Sequence, residues 1–317
     1  MSNPMPRFRD RFQDLQDNVE RFIRGKPDVV QLALTCLFAG GHLLIEDVPG
    51  VAKTSLAKAI AESIRGTFRR IQFTPDLLPS DVTGVDMYNQ REGKFEFRPG
   101  PAFTNVLLGD EINRASPKTQ SALLQIMAEN EVTVGLTTHP AHKPFFCVAT
   151  QNPIEHQGTY MLPEAQLDRF LMRLAVGYPD HAAEMEVVAQ GVAGTQPSAV
   201  GEVMDVAELA ELMGVARRVQ ASPALTSYLV DIAEVSRGHK SVRLGISPRG
   251  VIALAVAAQV VAASNGRQYA TPDDVHRVAV PVLAHRILVK QEAKMDGQSA
   301  AGLVESFLES VTVPRRA

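Results

Sequence analysis

Short apolar runs and polar interruptions alternate along residues 1–178 of the 317-residue chain. Five of these runs have the length of buried β-strands, and helical or loop segments separate them; they lie at residues 42–46, 68–73, 105–109, 145–150 and 171–176. Apolar strands that alternate with helices are typical of a mostly parallel sheet with helices on both faces. The pattern therefore predicts an α/β domain built on a parallel five-stranded sheet.

Two stretches with alternating apolar and polar positions interrupt this order. Residues 83–98 flank a turn at Arg91-Glu92-Gly93-Lys94, and residues 131–146 flank turn residues around His139-Pro140. Alternation on both sides of a turn predicts a β-hairpin in each stretch.

The pattern changes to helical spacing after Tyr178. Residues 191–201 are rich in Gly, Ala, Ser and Pro, and helical spacing then continues through residues 207–220, 224–237, 248–263 and 272–288. We therefore expect an all-α domain over residues 179–317 behind an α/β domain over residues 1–178.

A candidate phosphate-binding loop follows the first predicted strand. The usual pattern G-x-x-x-x-G-K-[ST] has glycine where this chain has Asp47 and Ala52, but Gly50, Lys53 and Thr54 match it. A strand, a tight loop and a helix N-terminus would present backbone N–H groups to an anion. The residues predicted to hold the nucleotide are Val48, Pro49, Gly50, Val51, Ala52, Lys53, Thr54 and Ser55. Lys53 would reach the β- and γ-phosphates and Thr54 would ligate Mg²⁺; the alternative is an ordinary strand–turn–helix connection with a solvated lysine.

Polar residues also end the third and fourth predicted strands. Asp110 and Glu111 follow residues 105–109, where Asp110 would hold Mg²⁺ through water and Glu111 would deprotonate the attacking water. Asn152 follows the next strand and could hydrogen-bond the γ-phosphate or that water. The alternatives are an acidic helix cap and an Asn-Pro turn. Ligands of parallel sheets bind beyond the carboxyl ends of the strands, which favours a common site.

The motifs that carry a family resemblance lie at residues 47–54, 110–115 (Asp-Glu-Ile-Asn-Arg-Ala), 117–124, 149–153 (Ala-Thr-Gln-Asn-Pro), 162–170 and 247–249 (Ser-Pro-Arg). On these motifs the chain resembles the MoxR group of AAA+ ATPases, whose fold is a P-loop NTPase core followed by a helical lid domain. This resemblance extends from about Phe8 to Val289. It implies ATP and Mg²⁺ as cofactors. It also implies that Asn152 is sensor 1, that Arg169 is an arginine finger for a neighbouring subunit, and that Arg249 is sensor 2, which couples the γ-phosphate to the lid.

The same resemblance implies a hexameric ring, a partner with a von Willebrand factor A domain and a protein client that is remodelled or matured. The hairpins near residues 83–98 and 131–146 would face the pore or the client. Arg114 and Arg173 are further candidates for contacts between subunits, with local ion pairs as the alternative. Ala52 departs from the glycine common in relatives, and we expect Ala52→Gly to change nucleotide affinity only modestly.

Composition narrows the function classes. The net charge is −3, and no basic stripe with interleaved aromatic residues appears, which argues against nucleic acid as a partner. Cys36 and Cys147 lie in apolar runs, as expected for small buried residues in a reducing compartment. The longest apolar stretch, residues 251–263, is shorter than the roughly 20 residues of a membrane-spanning helix. We therefore expect a cytoplasmic protein.

Three functions fit these observations to different degrees. An ATPase that remodels a protein client uses every motif above. A non-hydrolysing, nucleotide-gated scaffold would explain the irregular loop but not the Asp110-Glu111 pair. A nucleic-acid motor fits the superfamily but not the charge pattern.

Overall fold

The computed structural model describes residues 4–47, 53–152, 159–193 and 200–314, apart from the side chains of residues 190 and 191. The strands are β1 (Leu43–Glu46), β2 (Phe68–Gln72), β3 (Gly84–Asn89), β4 (Lys94–Pro99), β5 (Val106–Asp110), β6 (Glu131–Val134), β7 (Thr137–Pro140), β8 (Phe146–Gln151), β9 (Met172–Leu174), β10 (Val242–Leu244) and β11 (Leu288–Val289). The helices are α1 (Met5–Glu20), α2 (Pro27–Phe38), α3 (Lys53–Ser63), α4 (Pro79–Thr83), α5 (Pro117–Glu129), α6 (Glu164–Leu167), α7 (His181–Val192), α8 (Val206–Ala216), α9 (Pro223–Gly238), α10 (Pro248–Ser264), α11 (Pro272–Leu283), α12 (Gln291–Met295) and α13 (Ala300–Ser310). Two 3₁₀ turns lie at Ile112–Arg114 and Ala284–Arg286.

The five predicted strands form one parallel sheet in the order β2-β5-β8-β1-β9. Side chains of β1 alternate between two apolar layers: Leu43 and Ile45 pack with α1, α2 and α3, whereas Leu44 packs with residues of α5. Both faces of the sheet are therefore covered, as expected for strands such as β1 and β5 that are largely apolar. The predicted fold, a parallel five-stranded α/β core with a helical lid domain, is confirmed.

All strands of this sheet point the same way, so the sheet has two distinct edges. We call the side where the strands end, at Glu46, Asp110 and Gln151, the carboxyl edge. The opposite side, where His42 precedes β1 and Leu171 precedes β9, is the amino edge. The two edges are about 16 Å apart, because each of the five residue steps from His42 to Asp47 advances an extended chain by roughly 3.3 Å.

Both interrupting stretches form antiparallel hairpins, β3–β4 and β6–β7. The turn of the second hairpin follows Val134, where Gly135 has a φ of +59° that favours glycine. The prediction of a turn around His139-Pro140 is therefore wrong. His139 lies within β7 opposite Val132, and its ring stacks on Phe97 of the first hairpin with 3.8 Å between ring centroids.

Helices α8 to α13 form the second, helical layer, and α1 packs on both layers through α2, α3, α8 and α10. The predicted helix over residues 272–288 ends early: α11 stops at Leu283, and residues 288–289 pair with β10 as a small antiparallel ribbon. A two-residue strand is too short to produce a pattern that the sequence could reveal. Within the described ranges, none of the helices is long and apolar enough to cross a membrane.

Candidate functional site

The carboxylate of Asp110 is held at the carboxyl edge by both strands that flank β5. Its Oδ1 accepts a hydrogen bond of 2.6 Å from the hydroxyl of Thr150, which lies at the end of β8 and is fully buried. Its Oδ2 accepts one of 2.7 Å from the guanidinium of Arg70 on β2. These two contacts fix the plane of the carboxylate, with β2 supplying a cation next to it.

Glu111 has a backbone conformation that non-glycine residues seldom adopt, with φ +57° and ψ +49°. Its N–H donates to the Thr150 hydroxyl over 2.9 Å, so the same hydroxyl orders both acidic residues. Its carboxylate accepts hydrogen bonds from Gln72 of β2 at 2.8 Å and from Arg114 at 3.0 Å. Strained backbone of this kind concentrates at functional sites, where the surrounding structure compensates for its cost.

Lys53 begins α3 at the same edge, and its ammonium donates to the Asp47 carbonyl over 3.2 Å. Asp47 uses its carboxylate for the fold, since Oδ2 accepts a hydrogen bond of 2.5 Å from the Gly177 N–H beyond β9. This role gives a structural reason for an aspartate at the first position of the loop. Thr54 is half-buried and Ser55 exposed in the first turn of α3. The predicted phosphate contacts at Val48, Pro49, Gly50, Val51 and Ala52 lie outside the described residues.

Asn152 directly follows β8 and is 6 % exposed, which places it beside the Asp110-Glu111 segment at the carboxyl edge. The preceding Gln151 donates to the carboxylate of Glu46, which also binds Arg173 at 3.0 Å. Arg173 and Arg114 thus both form ion pairs within their own chain. The structure brings Lys53, Asp110, Glu111 and Asn152 to one edge of the sheet.

Arg169 and Arg249 lie at the amino edge instead. Arg169 donates to the Leu124 carbonyl of α5 over 2.6 Å, and Arg249, the second residue of α10, has its Nε 3.9 Å from Asp168. Both line a cavity of about 210 Å³ that Arg217, Arg286 and His42 also line. Within a single chain, neither arginine joins Lys53 and Asp110.

His42 fixes the position of α5 at this amino edge. Its Nδ1 accepts from the Cys147 N–H at 3.1 Å, and its Nε2 lies 2.9 Å from the Met127 carbonyl near the end of α5. Burial lowers the pKa of His42 to about 4, so the ring is neutral and Nε2 carries the proton that it donates. The helix that accepts from Arg169 is thereby tied to β1 and β8.

Sequence reasoning missed several residues that contact the predicted site. They are Arg70, Gln72 and Thr150 at the carboxyl edge, and Arg286 at the amino edge. Period-two spacing of Arg70 and Gln72 places both on one face of β2, a signal that becomes useful only once β2 is known to neighbour β5.

Comparison with known proteins assigns the family. The model of the ATPase family associated with various cellular activities (AAA) matches residues 42–172, and that of the AAA lid domain matches residues 234–306. The chain is 47 % identical to the uncharacterised protein YeaC of Bacillus subtilis over 94 % of this chain and 93 % of that protein. It is 40 % identical to the chaperone MoxR1 of Mycobacterium tuberculosis over 94 % of this chain and 81 % of that protein.

A crystal structure shows the same architecture. A protein of Cytophaga hutchinsonii, provisionally described as an ATPase, superimposes with a TM-score of 0.91 at 37 % identity, covering 98 % of this chain and 97 % of that one. Its likeness spans both the sheet and the helical layer. Together with the family models and the curated relatives, it shows that the chain belongs to the MoxR family of AAA+ ATPases.

Proposed function

We propose that the chain hydrolyses ATP in a ring of identical subunits and uses the cycle to remodel or mature a protein client. One observation carries this proposal. Lys53, Asp110, Glu111 and Asn152 share the carboxyl edge, whereas Arg169 and Arg249 occupy the amino edge of the same sheet. A nucleotide held at one edge can meet these arginines only if a second copy presents its amino edge. Such head-to-tail contacts generate a closed ring where the rotation between successive copies closes, which is the arrangement we propose.

Each residue has a defined part in the hydrolysis. The Lys53 ammonium and the first turn of α3 bind the phosphates, and the Glu111 carboxylate takes a proton from the water that attacks the γ-phosphorus. The bond between the γ-phosphorus and the β–γ bridging oxygen breaks, which gives ADP and inorganic phosphate. Asn152 orients the water or the γ-phosphate, and Arg169 and Arg249 of the next subunit stabilise the charge on the transferring group.

The oxygen donors at the carboxyl edge fit a magnesium ion. The Thr54 hydroxyl and the Asp110 carboxylate are hard ligands of the kind that Mg²⁺ prefers, alongside substrate phosphates. Asp110 already faces a cationic guanidinium, which indicates that this position favours positive charge. When bound, Mg²⁺ would neutralise charge on the β- and γ-phosphates.

Glu111→Gln tests the assignment of the base. The amide keeps the size of the side chain but cannot accept the proton, so we expect turnover to fall by about 10²–10⁴-fold while ATP still binds. Phosphate release and binding of a fluorescent ATP analogue measure the two effects separately. Glu305→Gln on the exposed face of α13 is the matched control and should hydrolyse at the wild-type rate. Normal hydrolysis by Glu111→Gln would refute the assignment, and no phosphate release by the wild-type chain would favour the scaffold function.

We also propose a protein client and a partner protein. The chaperone name of the Mycobacterium tuberculosis relative supports a protein client. We propose a hexamer, a partner with a von Willebrand factor A domain and a place in the cytoplasm. The Glu111→Gln variant, which should bind ATP without hydrolysing it, is the form in which to isolate both proteins.

A further inference from the structure

Arg286 is a buried arginine at the junction of the lid and the sheet. It ends the 3₁₀ turn that follows α11, and its side chain is only 3 % exposed. Its Nε donates to the Asp168 carboxylate over 2.7 Å. Asp168 immediately precedes Arg169, so the buried lid arginine contacts the segment that carries the proposed finger.

The guanidinium also binds the backbone on both sides of Arg169. Nη2 donates to the carbonyls of Asp168 at 3.3 Å and Phe170 at 2.7 Å, and Nη1 donates to the carbonyls of Leu171 at 3.1 Å and Val282. All five N–H groups of the side chain therefore have acceptors, three of them backbone oxygens of residues 168–171. Only the planar fork of an arginine offers five donors in this geometry.

Arg286 is buried and Asp168 is partly buried, and an ion pair of this kind is weak evidence for stability, because the cost of removing charge from water can exceed the attraction that is gained. Here the contacts of Arg286 order the backbone on both sides of Arg169. With residues 168, 170 and 171 fixed by Arg286, Arg169 keeps only the freedom of its own side chain, which rests on the Leu124 carbonyl. Arg249 approaches the same Asp168 carboxylate, so Asp168 joins two lid arginines to the finger segment.

We propose that Arg286 is a positioning residue for the site formed between subunits: it makes the lid and residues 168–171 one unit that presents Arg169 to the nucleotide of the neighbouring copy. This inference rests on the proposed function. It implies that loss of the Arg286 fork damages the active site of the next subunit and spares the nucleotide site of its own subunit, which lies at the opposite edge of the sheet.

Arg286→Lys is the test variant, because it keeps the charge but offers three donors in place of the planar five. We expect kcat to fall at least about tenfold with unchanged affinity for a fluorescent ATP analogue, the pattern of an interaction used only in the transition state. Arg277→Lys is the matched control on α11; its exposed guanidinium binds Asp28 and Gln31, and its activity should stay at the wild-type level.

Mixing two impaired variants identifies the subunit on which Arg286 acts. In mixed rings, an Arg286→Lys subunit still has its Glu111, and a Glu111→Gln subunit still has an intact finger segment. Some interfaces between the two variants therefore combine both intact groups. Activity should return to about a quarter of the wild-type rate if equal amounts of the two variants mix at random around the ring. If Arg286→Lys folds poorly, Asp168→Asn replaces it, because this variant weakens the same contact from the side of the carboxylate. Mixed with Glu111→Gln, it should recover activity in the same way.

A parallel mixture of Arg169→Ala with Glu111→Gln separates the inference from the proposed function. If that mixture recovers and those with Arg286→Lys and Asp168→Asn do not, Arg286 acts on its own subunit and the inference is overturned. Wild-type turnover by Arg286→Lys alone overturns it equally. If the Arg169→Ala mixture itself stays inactive, the finger does not act between subunits, and the inference falls with the proposed arrangement.

Discussion

Single residues at the carboxyl edge set the charge that a metal ion would meet. Arg70 approaches Asp110 within 2.7 Å, but its side chain is 49 % exposed. An ion pair this exposed contributes about 0–1 kcal/mol to stability. The larger effect of Arg70 is on the Asp110 carboxylate, because the guanidinium occupies one oxygen of this predicted Mg²⁺ ligand.

Arg70→Gln should therefore strengthen Mg²⁺ binding. Removing a competing cation worth about 1 kcal/mol lowers the Mg²⁺ concentration for half-maximal binding of a fluorescent ATP analogue by about fivefold. Magnesium titrations at fixed nucleotide measure the shift. Arg69→Gln is the control, because successive side chains of β2 point to opposite faces. An unchanged or increased Mg²⁺ requirement in Arg70→Gln would contradict competition between the guanidinium and the metal.

The sequence predicted the acidic residues of the candidate site but not their neighbours, for a physical reason. Asp110 and Glu111 stand at the end of an apolar run, which local pattern reveals. Gln72 and Thr150 meet them only because β2 and β8 flank β5, and strand order is a property of the whole sheet. Local patterns in a single sequence do not show which strands lie next to each other, so they cannot supply that order.

At the scale of elements, close packing at the amino edge links β1 to the segment before β9. A Cβ added to Gly41 would lie 2.3 Å from the Leu171 Cβ, and Leu171 is itself buried. The glycine is required here by the approach of another chain segment and not by its own φ angle. Arg169 belongs to that neighbouring segment, so packing at Gly41 helps to set the position of the proposed finger.

Gly41→Ala should destabilise the fold by about 1–3 kcal/mol, the usual cost of overpacking a tight contact. Urea denaturation measures it. Gly214→Ala is the control: this residue lies inside α8, and no atom of the described residues stands within 4 Å of an added Cβ. Alanine there should stabilise the helix by up to about 1 kcal/mol. Equal stability of Gly41→Ala and the wild-type chain would show that the Leu171 segment moves aside at little cost.

Element prediction succeeded where a pattern was long and failed where single residues decided the geometry. Strands β1, β5, β8 and β9 were predicted because each lies in a mostly apolar run, whereas β2 was predicted despite its Arg69, Arg70 and Gln72. The second hairpin was misplaced because His139-Pro140 has the composition of a turn, whereas Gly135 supplies the required backbone angle. Among the described residues β7 pairs with β6 alone, and a strand that pairs on one side tolerates Pro140.

For the whole molecule, the separation of the two edges determines what one chain can do alone. The resemblance to the MoxR family implied that Arg249 belongs to the nucleotide site, but the way the lid packs on the sheet places it beside Asp168 at the amino edge. That packing depends on α1, which bridges both layers, and no local motif encodes it. A complete site, as proposed, therefore needs two copies.

Turnover per chain should consequently depend on protein concentration. At concentrations where the chain is monomeric, nucleotide can bind at the carboxyl edge but lacks Arg169 and Arg249, whose electrostatic contribution in related transfers is worth about 10³-fold or more. Phosphate release per chain should rise steeply as light scattering reports assembly and then level off. Arg169→Ala should assemble over the same range without the rise, which separates the finger from ring formation itself. Constant turnover per chain down to the monomer would mean that each chain contains a complete site, and the division of the site between two edges would have no catalytic consequence.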